Sequence, residues 1–238
     1  MRRVLDDAII ICRVNGTNSA EVFDDDPIRF SIEMLSVAGK TFRTNLPSAG
    51  WSAFIRILLF SPSSGTWVDT NWNLKLLMRY MDKQTIEFDP SSPLVVDLGM
   101  DPKDVKLISR GPIQVRALAR LSASETLQSN AVQLNHIAER GAPISPESEL
   151  RRVRFYLDGG QYAEARTAAL KILVRDPHSI EALELMGDVS VKMGDMRAGL
   201  DFFRGAFNEF NKQYPSAREP PQLLLSKIDV TQDRILNP

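Results

Sequence analysis

Few residues of this chain are of types that do chemistry, and their spacing assembles no reacting set. Its 238 residues include two histidines, His136 and His178, and one cysteine. Neither histidine stands in an HxxxH, HExxH or Cys/His pattern, so no zinc site or nucleophile–base pair is written at motif level. No Gly-rich phosphate loop of the GxGxxG or GxxxxGKS/T kind occurs, and Gly159-Gly160 reads as a turn between helices. Cys12 has no partner for an internal disulfide and ends the apolar run from Ala8, where a buried, inert thiol is expected. Asp24-Asp25-Asp26 suggests calcium, but consecutive carboxylates diverge, whereas a chelating loop places them at alternate positions. A solvated loop is expected instead. Trp67 and Trp72 flank the polar segment VDTN, and paired aromatics on a β-surface can stack on sugar rings or anchor a partner. The favoured alternative puts Trp72 in the core, in phase with Leu74 and Leu76, with Trp67 closing a hairpin. The chain is therefore expected to be no enzyme, with no catalytic residue, no metal and no cofactor.

The elements that would position any site are bounded by composition. With 43% hydrophobic and 25% charged residues the chain is ordinary for a soluble protein, long enough for one large domain or two modest ones. A net charge of −1 and scattered basic residues argue against a nucleic-acid surface. The one tight basic group, Arg151, Arg152 and Arg154, points in several directions on a helix. No run approaches the ~20 apolar residues of a membrane span. The opening MRRVLDDAIIICRV fails as a signal peptide, because Asp6, Asp7 and Arg13 break its short apolar run. The expected compartment is cytoplasmic; the alternative is the bacterial periplasm or cell envelope, if a leader was removed.

From Ala8 to about His136 apolar residues alternate in twos. Ile28, Phe30, Ile32 and Met34 share one face of a strand. Trp51 to Phe60 reads as a central strand, and Trp72, Leu74, Leu76, Met78 and Tyr80 as an alternating one. Further strands are read at Ile86–Phe88, Leu94–Val96, Val105–Ile108, Ile113–Leu121 and Ala131–Leu134, separated by turn residues such as Asn15-Gly16 and Asp101-Pro102. Short strands with turns at such spacing predict an antiparallel sandwich. The segment GPIQVRALARLSASETLQSNAVQLNHI resembles the last two strands of a bacterial immunoglobulin-like or fibronectin type III-like domain. The resemblance covers about residues 25–137 and implies a β-sandwich, assigned to residues 1–137.

Residues 138–146, rich in Pro, Gly and Ala, read as a linker; from Glu147 the period becomes helical, and residues 147–238 form the second domain. Two stretches there, 146–179 and 180–213, repeat one helical-hairpin pattern thirty-four residues apart. Leu183, Met186, Gly187, Gly194-Asp195, Gly199, Phe203 and Ala206 in the second, with Tyr156, Gly160, Tyr162, Ala165 and Asp176-Pro177 in the first, resemble the tetratricopeptide repeat (TPR). After Pro215, Pro220 and Pro221, residues 220–236 place Leu224, Ile228, Thr231 and Ile235 on one stripe and predict a capping helix.

The family resemblance implies a groove lined by the first helix of each unit. Its matching positions are Glu147, Leu150, Arg151, Arg154 and Leu157, then Glu181, Glu184, Asp188, Val191 and Lys192. The alternative for these residues is a solvated helix face. The Lys/Asn set that clamps a peptide's terminal carboxylate in some family members is not matched, since Leu150, Arg154, Glu184 and Asp188 hold those places. The expected function is a non-catalytic scaffold or structural subunit with a protein or peptide partner; partner identity and oligomeric state are left open. Two alternatives stand beside it: an extracytoplasmic module binding carbohydrate or cell envelope through Trp67 and Trp72, and an accessory part of a larger enzyme.

Overall fold

The computed structural model describes residues 8–37, 39, 41–45, 50–61, 64–70, 72–77, 85–122, 125–138, 143–216 and 221–237. The chain divides into two compact units, Met1–Gly141 and Ala142–Pro238, the first built of strands and the second of helices. Residues 139–142 of the expected linker lie outside the described residues.

The first unit runs β1 (Ala8–Val14), β2 (Ser19–Phe23), β3 (Ile28–Ser36), β4 (Phe42–Asn45), α1 (Trp51–Phe54), β5 (Ile55–Ser61), β6 (Thr66–Asp69) and β7 (Lys75–Leu76). It continues with β8 (Thr85–Phe88), β9 (Leu94–Met100), α2 (Pro102–Val105), β10 (Gly111–Arg120), β11 (Thr126–Gln128) and β12 (Val132–Ile137). One sheet has the order β1-β3-β9-β7, the other β2-β12-β10-β5-β6 with β11 beside β10; β4 and β8 pair separately. Alternation decides which faces turn inward. On β3, Ile28, Phe30, Ile32 and Met34 are buried, and on β1 so are Ala8, Ile10, Cys12 and Val14. They share one core with Ile57, Val115, Ala117, Val132 and Leu134 from the other sheet.

At Cys12 the outer edge of β1 is covered by a side chain. Asn130 accepts the Cys12 N–H at 2.9 Å through Oδ1 and donates to the Cys12 carbonyl oxygen at 3.1 Å through Nδ2, as a neighbouring strand would.

Four expectations are corrected. Trp51–Phe54 is a helical turn, entered through Gly50 at φ 78, and only Ile55–Ser61 continues as a strand, between β10 and β6. Val105–Ile108 is no strand: Pro102 starts a short helix, and the Asp104 and Val105 amides both donate to the Asp101 carbonyl oxygen. Of the run Trp72–Tyr80, only Lys75–Leu76 joins a sheet among the described residues 72–77; Met78 and Tyr80 lie outside them. The strands are not all antiparallel, because β2 runs parallel to β12, with Val22 opposite His136.

The second unit contains α3 (Pro146–Asp158), α4 (Tyr162–Arg175), α5 (Ile180–Lys192), α6 (Met196–Gln213) and α7 (Gln222–Leu236). The thirty-four-residue offset recurs in its hydrogen bonds. Ser145 caps α3 through the Ser148 N–H, and Ser179 caps α5 through the Ala182 N–H. The turn bonds from Gly159 to Phe155, Gly160 to Leu157 and Gln161 to Tyr156 return as Met193 to Val189, Gly194 to Val191 and Asp195 to Ser190. Gly160 and Gly194 hold φ 70 and 90, which glycine adopts without a Cβ penalty. Gly187 lets α5 and α6 cross closely, since a Cβ there would meet the Phe203 ring at 2.4 Å.

One cluster, with Val153, Ala169, Leu185 and Met186, fills the space among α3, α4 and α5. A second joins Phe203, Ala206 and Leu224, with Phe207 and Ile228 against it. Helix α7 thus covers α6, with Leu224 and Thr231 buried. No helix among the described residues is long and apolar enough to cross a membrane.

Leu224 is 1% exposed and its neighbour Leu223 is 68% exposed. Leu224→Ala should destabilise the helical unit by about 2–5 kcal/mol, whereas Leu223→Ala should stay within about 0.5 kcal/mol. Thermal melts of both variants, followed by circular dichroism, check the contrast; equal melts would disprove α7's covering role.

Candidate functional site

The expected groove residues are largely taken up by the helical unit itself. Leu150 is buried at 8% exposure in the first cluster, Leu157 packs against that cluster, and Val191 packs against the second. Leu150 therefore offers no apolar surface to a partner, while Leu157 and Val191 are half-buried. Leu150, Val153 and Leu157 lie on one stripe of α3, and that stripe faces the unit's own core.

Four of the expected groove charges, Arg154, Glu181, Glu184 and Asp188, are paired within the unit. Arg154 bonds to Glu181, linking α3 to α5. Lys227 on α7 reaches back to α5 and holds Glu184 at 2.6 Å and Asp188 at 2.7 Å, with its ammonium 5.7 Å from the Phe203 ring centre. All three side chains are about three-quarters buried. Burial pushes the Asp188 carboxyl up, and the bonds from Lys227 offset this only in part. Burial acts downward on Lys227, but the carboxylates outweigh it and hold the ammonium above its ordinary range. Sequence reasoning missed Lys227. Its signal was there: it lies three residues after Leu224 and four before Thr231, and a cation on a buried stripe needs an acidic partner.

Exposed groove positions remain at Glu147 and Lys192, with Arg151 half-buried and donating to the Ser148 hydroxyl at 2.9 Å. Glu181 is exposed while paired to Arg154. On α3 and α4 alone a separate open cavity of about 440 Å³ is lined by Glu149, Arg152, Tyr156, Glu164, Thr167 and Lys171. Glu149 accepts from Arg175 on α4.

In the β unit the two candidate tryptophans have separate surroundings. Trp67 stands opposite Phe60 on the β5–β6 hairpin, ring centres 5.3 Å apart, with the Arg116 guanidinium 3.6 Å above its ring. Burial lowers Arg116, which donates to Gln128 at 2.8 Å. Trp72 stacks on Phe30 at 6.1 Å and packs on the core. They form no common platform.

His136, 3% exposed, ties three segments. Its Nδ1 lies 3.1 Å from the Ile108 carbonyl oxygen and its Nε2 2.8 Å from Asp24 Oδ1. Both ring nitrogens thus lie within hydrogen-bond distance of an oxygen, one on the backbone and one on a carboxylate. Asp24 also lies 3.6 Å from Arg110, so the first aspartate of the triplet is anchored, contrary to a freely solvated loop. His178 is exposed and lies 3.0 Å from Glu209. Among the described residues no group of three or more His, Cys, Asp or Glu side chains is placed to hold a metal.

No family model matches the chain, and no curated protein matches it in sequence. Among solved structures, 53% of the chain aligns with 15% of a β-glucosidase from Erythrobacter marinus, at 11% identity and TM-score 0.29. The major subunit of aggregative adherence fimbriae type I from Escherichia coli aligns over its whole length with 58% of the chain, at 14% identity and TM-score 0.30. A family 123 glycoside hydrolase from Clostridium perfringens aligns over 36% of its length with 73% of the chain, at 7% identity and TM-score 0.31. The chain thus spans well under two thirds of either hydrolase, and likenesses this distant assign neither a fold nor an activity.

Two outcomes are expected. Burial pushes the Cys12 thiol from 9.0 up to about 12, so it should resist a thiol reagent at pH 8 and react once the chain is unfolded. A folded-state value above the unfolded one means this thiol's contribution to stability is complete below pH 9.0 and lost as pH rises toward about 12. Rapid labelling of the native chain would contradict the burial. Lys227→Met should leave Glu184 and Asp188 as unpaired neighbours and cost about 1–3 kcal/mol near pH 7. The loss should shrink as pH falls and Asp188, whose carboxyl is raised by burial, takes up its proton, which urea melts at pH 7 and pH 4 would read.

Proposed function

We propose that this chain is a non-catalytic protein-binding scaffold or structural subunit, an immunoglobulin-like β-sandwich followed by two TPR-like hairpins and a capping helix. What supports the reading is the recurrence, at one fixed offset, of helix caps, turn bonds and glycine conformations in the two hairpins. Repeats of this kind build extended surfaces from units that bury only their shared faces. The sandwich part is supported by two sheets whose alternating inner faces meet in one core.

The partner surface is assigned to what the unit leaves open. Glu147, Arg151 and Lys192 keep exposed surface on the first helices, and the α3–α4 cavity presents Tyr156 between acidic and basic side chains. Such a mixed surface favours a protein segment bearing both charge signs.

The proposal is tested by pull-down from the native source with the full chain, comparing Arg151→Glu, Lys192→Glu and Tyr156→Ala with the unaltered protein. Capture should weaken in these variants, and the charge reversals should matter more at low salt. Undiminished capture in all three would remove the function from the helical unit.

A further inference from the structure

The β unit contains a cavity that the sequence did not foreshadow. The helical turn α1 lifts Trp51 out of the line of β5, and Trp51 lines, together with Trp72, a space of about 320 Å³. Leu76 adds an apolar wall, while Arg56, Asp69 and Thr70 contribute polar atoms. This is at the small end of ligand pockets, which suits one ring and not an extended chain.

The walls are held in place before any ligand arrives. The Thr70 hydroxyl donates to the Ile57 carbonyl oxygen at 2.9 Å and accepts from the Trp72 N–H at 3.3 Å. Phe30 stacks behind Trp72, and Phe54 meets Trp51 edge-on at 5.5 Å. Aromatic walls fixed in this way lose little freedom on binding.

The polar side chains decide the ligand class. Arg56 and Asp69 pair at 2.7 Å and are both exposed. Their charges cancel, so nothing there selects an ion, and a pure hydrocarbon would strip water from the pair without replacing its hydrogen bonds. A neutral ring with one apolar face and hydroxyls around its edge meets both demands. Its face lies on indole, while its hydroxyls accept from the guanidinium and donate to the carboxylate. We propose that this cavity binds a neutral sugar residue between Trp51 and Trp72, a binding activity independent of the helical unit.

The test is titration of the full chain with glucose, galactose, N-acetylglucosamine and cellobiose, followed by tryptophan emission. At least one sugar should give a saturable change with a dissociation constant on the order of 1 mM. Trp51→Ala and Arg56→Met should each weaken that binding about tenfold or more, while Trp67→Phe, outside the cavity, should bind as the unaltered chain does. Failure of all four sugars to saturate by about 50 mM overturns the proposal. So does binding that survives both Trp51→Ala and Arg56→Met, or binding lost in Trp67→Phe. If Trp51→Ala does not melt cooperatively, Arg56→Met alone decides, because that side chain is exposed and its loss leaves the core intact.

Discussion

Two helical hairpins cannot bury the faces they create, and that shortage governs the second unit. About three repeats are usually needed before stacked hairpins enclose a continuous core. Here α7 supplies the missing layer. Leu224 and Ile228 close the apolar side against Phe203 and Phe207, while Lys227 closes the polar side against Glu184 and Asp188. The two closures are coupled in space, because Lys227 also lies over the ring of Phe203, and Phe203 occupies the room that Gly187 leaves. A cation, a ring and a missing Cβ thus form one arrangement. Its consequence is that Glu184 and Asp188 of α5 are committed to α7.

The first unit meets a different constraint. Its sheets share one core, and segments distant in sequence must be tied across it. His136 does this with two hydrogen bonds, one to the backbone after α2 and one to the acidic loop after β2. Because β2 runs parallel to β12, that loop lies at the same end as His136. The polar tie replaces apolar packing where three chain segments converge, and it works because every buried polar atom in it has a partner.

The legible parts of this fold are those fixed by local chemistry. The inner face of β3 could be read because burial on one side of a pleated strand forces alternation. The hairpins could be read because their turns need glycine and their crossings need small side chains, at Gly187 and Gly199 above all. What stayed hidden depends on partners far away in sequence. Trp51 looked like strand because its neighbours are apolar, yet Gly50 turns the chain into a helical step. Asp101-Pro102 carried its helix-start signal openly, but Val105–Ile108 had the composition of a strand. The pairing of β2 with β12 and the grip of Lys227 on α5 are long-range choices that no window of residues contains. The same holds for the candidate sites: Leu150 had the right position for a groove, and only the packed neighbours show that it faces inward.

The Asn130 clasp on β1 carries a consequence for the ageing of the molecule. Its carboxamide works because one arm accepts from the Cys12 N–H while the other donates to the Cys12 carbonyl oxygen. Slow hydrolysis of an asparagine side chain leaves a carboxylate, which keeps the acceptor and loses the donor. The clasp would then set a negative charge against a carbonyl oxygen and let go of the strand edge. An uncovered edge is a template for pairing with other chains, and the loss of that one amide would uncover β1 at Cys12.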